Sequence, residues 1–190
     1  ADVLYGVESI TGSRNSDTLV GDSGDNVIRP LDGDDTIDGG AGSDTIDYRE
    51  ALSVANRVLN ETNKSAADYQ AGDLIKAPGV VVNLSGPKDA NGYISVRVAD
   101  GVEASTFSSV DKIKNIENVI GSLYDDTFVG DAGANTFSGM AGEDTFIGNG
   151  GNDTVSYMRA FGGVNVSLAA GADGSVEVTQ VNANALGINV

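Results

Sequence analysis

The sequence predicts an all-β fold, a parallel β-solenoid made of two blocks of nine-residue units joined by β-strand connectors. Three observations predict it. Residues 12–47 divide without remainder into four units, GSRNSDTLV, GDSGDNVIR, PLDGDDTID and GGAGSDTID, which repeat one order of residue types. Residues 121–156 divide in the same way into GSLYDDTFV, GDAGANTFS, GMAGEDTFI and GNGGNDTVS. Aromatic residues make up only 6% of the chain and Trp is absent, so a large globular core is not expected and apolar side chains have to be shared between stacked units.

Each unit reads as a turn followed by a short strand. Glycine at the first, second and fourth places suits a tight bend with positive φ. Asp or Asn at the sixth place closes the bend, and one apolar side chain at the eighth place points inward. These are Leu19, Ile28, Ile37 and Ile46 in the first block and Phe128, Phe137, Phe146 and Val155 in the second. One buried side chain in nine residues makes no core alone, so the units must stack. The first unit of each block lacks glycine at places two and four (Ser13, Asn15; Ser122, Tyr124), which reads as a capping coil. Thr fills the seventh place in every unit but one; this reads as strand propensity, with an ice-binding face as the alternative.

In this order of residues the units resemble the RTX (repeats-in-toxin), or hemolysin-type, calcium-binding nonapeptide repeat G-G-x-G-x-D-x-U-x. The resemblance implies a parallel β-roll in which two nonapeptides form one coil and calcium sits between successive turns on each side. In such a coil unit one lies over unit three and unit two over unit four. Asp17 then stacks on Asp35, Asn26 on Asp44, Asp126 on Asp144 and Asn135 on Asp153. At a strand spacing of about 4.8 Å the stacked carboxylates repel one another unless a cation lies between them. Calcium takes six to eight oxygens at about 2.3–2.6 Å, and glycine-rich turns leave carbonyls exposed to supply them. Those eight residues are the candidate metal ligands, with calcium as the cofactor at about two full sites per block. Asn26 and Asn135 offer a neutral oxygen where the others offer a charged one. An EF-hand at Asp32-Gly33-Asp34-Asp35 is excluded, because counting from Asp32 puts Ile37 and Ser43 where that loop needs Gly and Glu.

Charge supports a cation as partner. The formal charge is −17, from 28 acidic and 11 basic residues, which argues against nucleic acid and anionic membrane surfaces. There is no Cys, hence no disulfide framework or thiolate site, and no His, so the usual bases, nucleophiles and zinc ligands are missing and catalysis is not expected. No run approaches the roughly 20 apolar residues of a membrane span, and no apolar signal-like stretch follows Ala1.

Duplication organises the rest. Val7–Ser13 aligns with Ile116–Ser122 at an offset of 109 residues, and Tyr48 aligns with Tyr157 at the same offset. The sequence therefore divides into module one, residues 1–115 (repeats 12–47, a long insertion within 52–78, connecting strands), and module two, 116–190 (repeats 121–156, a truncated connector). Alternating connector strands are predicted at Gly79–Leu84, Tyr93–Val98 and Val110–Ile116, and in module two at Gly163–Leu168 and Gly174–Val181. The polar insertion reads as a surface loop with room for one short helix around Ser65–Gln70, the alternative being a contact loop for a sugar or a neighbouring subunit. Module two stops before a counterpart of Val110–Ile116, which reads as a fragment of a longer protein.

The expected function is a calcium-binding structural module of a secreted or cell-surface protein, folding on calcium binding outside the cell. The secreted, extracellular address and export by type I secretion are implied by the resemblance alone. The alternative is an extracellular interaction module that binds polysaccharide or assembles with copies of itself as an adhesin or surface layer.

Overall fold

A computed structural model describes residues 6–49, 78–99, 107–159, 163–166 and 178–181. The insertion and its expected helix lie outside the described residues. The first block supplies β1 (Ser9–Thr11) from its lead-in, then β2 (Thr18–Val20), β3 (Val27–Arg29), β4 (Thr36–Asp38) and β5 (Thr45–Asp47). The connector supplies β6 (Pro78–Asn83), β7 (Ile94–Ala99) and β8 (Phe107–Lys114). Then follow β9 (Asn118–Ile120), β10 (Asp125–Val129), β11 (Thr136–Ser138), β12 (Thr145–Ile147) and β13 (Thr154–Val155), and finally β14 (Gly163–Val166) and β15 (Val178–Val181).

Parallel pairing has the expected 18-residue step. Thr18 pairs with Thr36, Val27 with Thr45, Thr127 with Thr145 and Thr136 with Thr154, so two nonapeptides make one coil of a β-roll. Successive units alternate between two sheets. One is a six-stranded parallel sheet in the order β1-β3-β5-β9-β11-β13. The other has seven strands in the order β12-β10-β6-β7-β8-β4-β2.

Both sheets run through the two blocks. In the first sheet a single strand, β9, lies between β5 and β11. In the second, three strands separate β4 from β10: β8 stacks in parallel on β4, β7 runs antiparallel between β8 and β6, and β6 is parallel to β10. The second sheet is thus two strands wider at the junction, about 10 Å at the usual spacing. The connector strands fall close to where the alternating pattern put them, and β14 and β15 form an antiparallel pair like β6 and β7.

The eighth-place side chains fill the space between the sheets. Ile28, Ile37, Ile46 and Phe128 are fully buried, and the connector adds Val80, Val82, Val96 and Ile113 to the same cluster. Each such burial stabilises by about 1.5–3 kcal/mol. The phenylalanine ladder of the second block brings Phe128 within 5.7 Å of Phe137 and Phe137 within 6.4 Å of Phe146, centroid to centroid. Val155 departs from the expected pattern. It remains 38% exposed, because β13 is the last strand of its sheet and nothing among the described residues covers it. The capping assignment also needs correction for the second block: Gly121–Val129 is interior, since β10 has neighbours on both sides.

Candidate metal centre

The 18-residue step brings the sixth-place side chains into columns. The backbone N–H of Asp17 donates to Asp35 Oδ1 (2.8 Å), that of Asn26 to Asp44 Oδ1 (2.8 Å), that of Asp126 to Asp144 Oδ1 (3.0 Å) and that of Asn135 to Asp153 Oδ1 (3.0 Å). All eight predicted residues are therefore paired as the stacking argument requires. One oxygen of each upper carboxylate is used to bind the coil beneath it. The other oxygen is left over: Asp35 Oδ2 and Asp44 Oδ2 are buried and accept no hydrogen bond. An unpaired buried polar atom costs about 1–3 kcal/mol, and more when charged, so these oxygens call for a positive partner.

The first-place glycines form the floor of a cradle. Gly39 lies against Asp44 Oδ2 and the Asn115 carbonyl, Gly21 against Asn26 Oδ1 and the Gly39 carbonyl, and Gly130 against Asn135 Oδ1 and the Gly148 carbonyl. A Cβ at any of the three would collide with both oxygens. Each cradle thus collects one side-chain oxygen from its own turn and one carbonyl oxygen from the coil stacked on it. Among the described residues no three acidic side chains converge on one point, so a cation held here would draw much of its shell from carbonyls.

Three further features were not predicted. Ser13 and Ser122, read only as missing glycines, direct their amide and hydroxyl at Asp17 and Asp126; Ser122 N–H and Oγ–H donate to Asp126 at 2.7 and 2.8 Å. The columns also continue past the first block. Asp35 N–H donates to Asp111 Oδ1 (3.0 Å) and Asp44 N–H to Glu117 Oε2 (2.8 Å), so the connector supplies the next sixth-place acid on each side. Finally, the buried Tyr48 hydroxyl donates to Asp111 Oδ2 (3.0 Å), closing that column with a hydrogen bond.

Electrostatics separate these acids from those at the ninth place. At the ninth place Asp47 is bonded by Arg29 (2.9 Å) and Arg49, and Asp38 by Lys114 (3.0 Å). Burial alone would raise both carboxyls, but the arginine and lysine partners hold them below the usual range. Among the described residues the sixth-place acids have no such cations. Burial, reinforced by the Asp144 charge, pushes Asp126 up to about 8. Asp144 rises to about 7 through burial and the nearby Asp125, Asp111 to about 7 through burial and Asp35, and Asp35 to about 6 through burial and its acidic neighbours. Asp44 and Glu117 are raised for the same reasons.

Residues 11–46 and 120–155 match the sequence family of the RTX calcium-binding nonapeptide repeat (4 copies). Both blocks are RTX repeats. The matched segments are the ones that carry the sixth-place columns, and the connector that supplies Asp111 and Glu117 falls between them. No curated protein sequence matches the chain. The RTX blocks fit calcium on the structure's own terms: hard oxygen donors only, buried carboxylate oxygens without partners, and a cradle that a methyl group would fill. No helix among the described residues is long and apolar enough to cross a membrane.

Proposed function

We propose that the chain is a calcium-dependent structural module of a secreted or cell-surface RTX-type protein, unfolded where calcium is scarce and folded outside the cell. The observation that carries this reading is the pair of buried, unpartnered oxygens of Asp35 and Asp44 in a repeat of the calcium-binding family. Calcium supplies the positive charge that the stacked carboxylates lack. The chain's own part is to hold the sixth-place side chains 18 residues apart, to turn the carbonyls of Gly39 and Gly148 over the cradles, and to exclude water through burial. Without the cation, like charges and the formal charge of −17 oppose compaction, and a core one side chain wide does not offset chain entropy. Metal-binding free energy is then folding free energy. In this reading the module binds and folds, and no catalytic step is assigned to it.

Circular dichroism during a calcium titration tests the switch. A cooperative gain of β signal at about 0.1–1 mM calcium, the usual range of extracellular modules, reversed by chelator, is the expected result. A β signal that chelation leaves unchanged would overturn the reading.

A further inference from the structure

The junction between the two blocks shows how one end of the roll is covered, and both outer ends repeat the surfaces that meet there. At the junction β5 is paired in parallel by β9, with Thr45 opposite Asn118, Ile46 opposite Val119 and Asp47 opposite Ile120. Asn118 N–H donates to the Asp44 carbonyl and Tyr48 N–H to the Ile120 carbonyl, at 2.9 Å each. At the duplication offset of 109 residues, β13 stands where β5 stands and β1 where β9 stands. These are the two end strands of the continuous six-stranded sheet, and among the described residues neither has an outer neighbour.

The likeness extends to detail. Val27 N–H donates to the Glu8 carbonyl as Thr136 N–H donates to that of Glu117, and Gly12 N–H to Arg29 as Gly121 N–H to Ser138. Gly6 has a φ of 62° and its counterpart Asn115 one of 54°, so both strands are entered through a left-handed residue. Burial shows what the outer ends lack. Ile46 and Val119, pressed together at the junction, are 0% and 1% exposed, whereas Val155 is 38% exposed and Ile10 is only half-buried. In sequence, Ala1–Glu8 aligns with Val110–Glu117, so Asp2 corresponds to Asp111 and Tyr157 to Tyr48, whose hydroxyl binds Asp111.

We propose that the two ends of the roll are complementary and that a second copy of this chain stacks on it head to tail, its residues 8–11 pairing with β13 as residues 117–120 pair with β5. Ser9 then lies opposite Thr154 and Ile10 opposite Val155, and Glu8 reaches the Asp153 amide as Glu117 reaches that of Asp44. The contact is heterologous: each copy that joins presents a fresh β13 edge, so growth continues as a linear array. Unpaired strand edges are the surfaces on which such addition occurs.

The test uses two variants that block opposite ends. In β13 the amides of Thr154 and Ser156 are used inside the roll, so the Val155 amide faces outward; in β1 the Gly12 amide is used inside, so the Thr11 amide faces outward. Val155→Pro and Thr11→Pro each remove one outward donor, and proline is tolerated at an edge where the N–H faces solvent. Sedimentation velocity in saturating calcium, over a concentration series, is read with circular dichroism to establish that each chain is folded. The parent chain is expected to form concentration-dependent oligomers. Each variant alone is expected to stop at the monomer, and an equimolar mixture of the two to give a species of twice the monomer mass and nothing larger, through the one intact pair of ends. A folded parent that stays monomeric at every concentration, or a variant that assembles as the parent does, would overturn the proposal. If a proline variant loses its β signal, Val155→Lys or Thr11→Lys takes its place with the same expectations. Because the spectra report folding separately, a failure of stacking is distinguishable from a failure of the calcium switch.

Discussion

Asp44→Asn is expected to weaken calcium binding by about ten- to a hundredfold, and in chelator to leave more folded chain than the parent. The two effects have opposite signs because the carboxylate has two separate tasks. Its Oδ1 accepts the Asn26 amide, which an Asn carbonyl oxygen does equally well. Its Oδ2 is buried without a partner beside Gly39 and the Asn115 carbonyl. An NH2 group at that position brings a donor towards a carbonyl and removes a buried negative charge, which stabilises the chain without metal. With metal, a charged ligand is lost; an interaction of that kind is worth about 1.5–3 kcal/mol, which sets the expected factor in affinity. Calcium titration and residual β signal in chelator are the two readouts. Weakening in both conditions would mean that the carboxylate serves the fold alone.

Acidity is expected to replace calcium in part. In chelator, the β signal retained at pH 5 is expected to be lost by pH 8. Asp126, Asp144, Asp111 and Asp35 rise from an ordinary 3.8 to about 8, 7, 7 and 6 in the folded chain. A carboxyl raised by folding holds its proton better folded than unfolded, so it disfavours folding only where it ionises. That penalty is absent below about 4, grows as pH rises through the folded values and is complete above about 8. A tenfold gain in a carboxyl's proton affinity on folding is worth about 1.4 kcal/mol before screening, so the four groups together carry several kcal/mol. Calcium binding displaces these protons, so affinity is expected to rise from pH 5 to pH 8. Chelated chain that becomes more stable over that interval would contradict the assignment of these groups as an uncompensated column.

The nine-residue period made the coil legible, because one apolar side chain per unit and a glycine turn admit few arrangements. The resemblance to the RTX repeat, rather than the period alone, implied two units per coil and hence the 18-residue stack that pairs Asp35 with Asp17 and Asp44 with Asn26. Asp111 and Glu117 escaped the period because they sit outside any glycine pattern and take the sixth-place role only through stacking. Glu117 did leave a trace, since the duplicated lead-in places Glu8 at the same offset. Ser13 and Ser122 looked like lost glycines, yet their hydroxyls bind the very acid that the turn presents. The connector illustrates another limit: alternation marks β6, β7 and β8 as strands but says nothing about partners, and their order in the sheet depends on long-range pairing. Val155 matched its pattern and still lies exposed, because inward direction buries a side chain only where another coil follows.

Cations are expected to lie between turns 18 residues apart, held by sixth-place side chains and first-place carbonyls. Diffraction from crystals grown in calcium, with anomalous data to mark the ions, tests this most directly. Peaks are expected between the turns bearing Asp17 and Asp35, Asn26 and Asp44, Asp126 and Asp144, and Asn135 and Asp153. Calcium bound elsewhere, with Asp35 and Asp44 still unliganded, would contradict it.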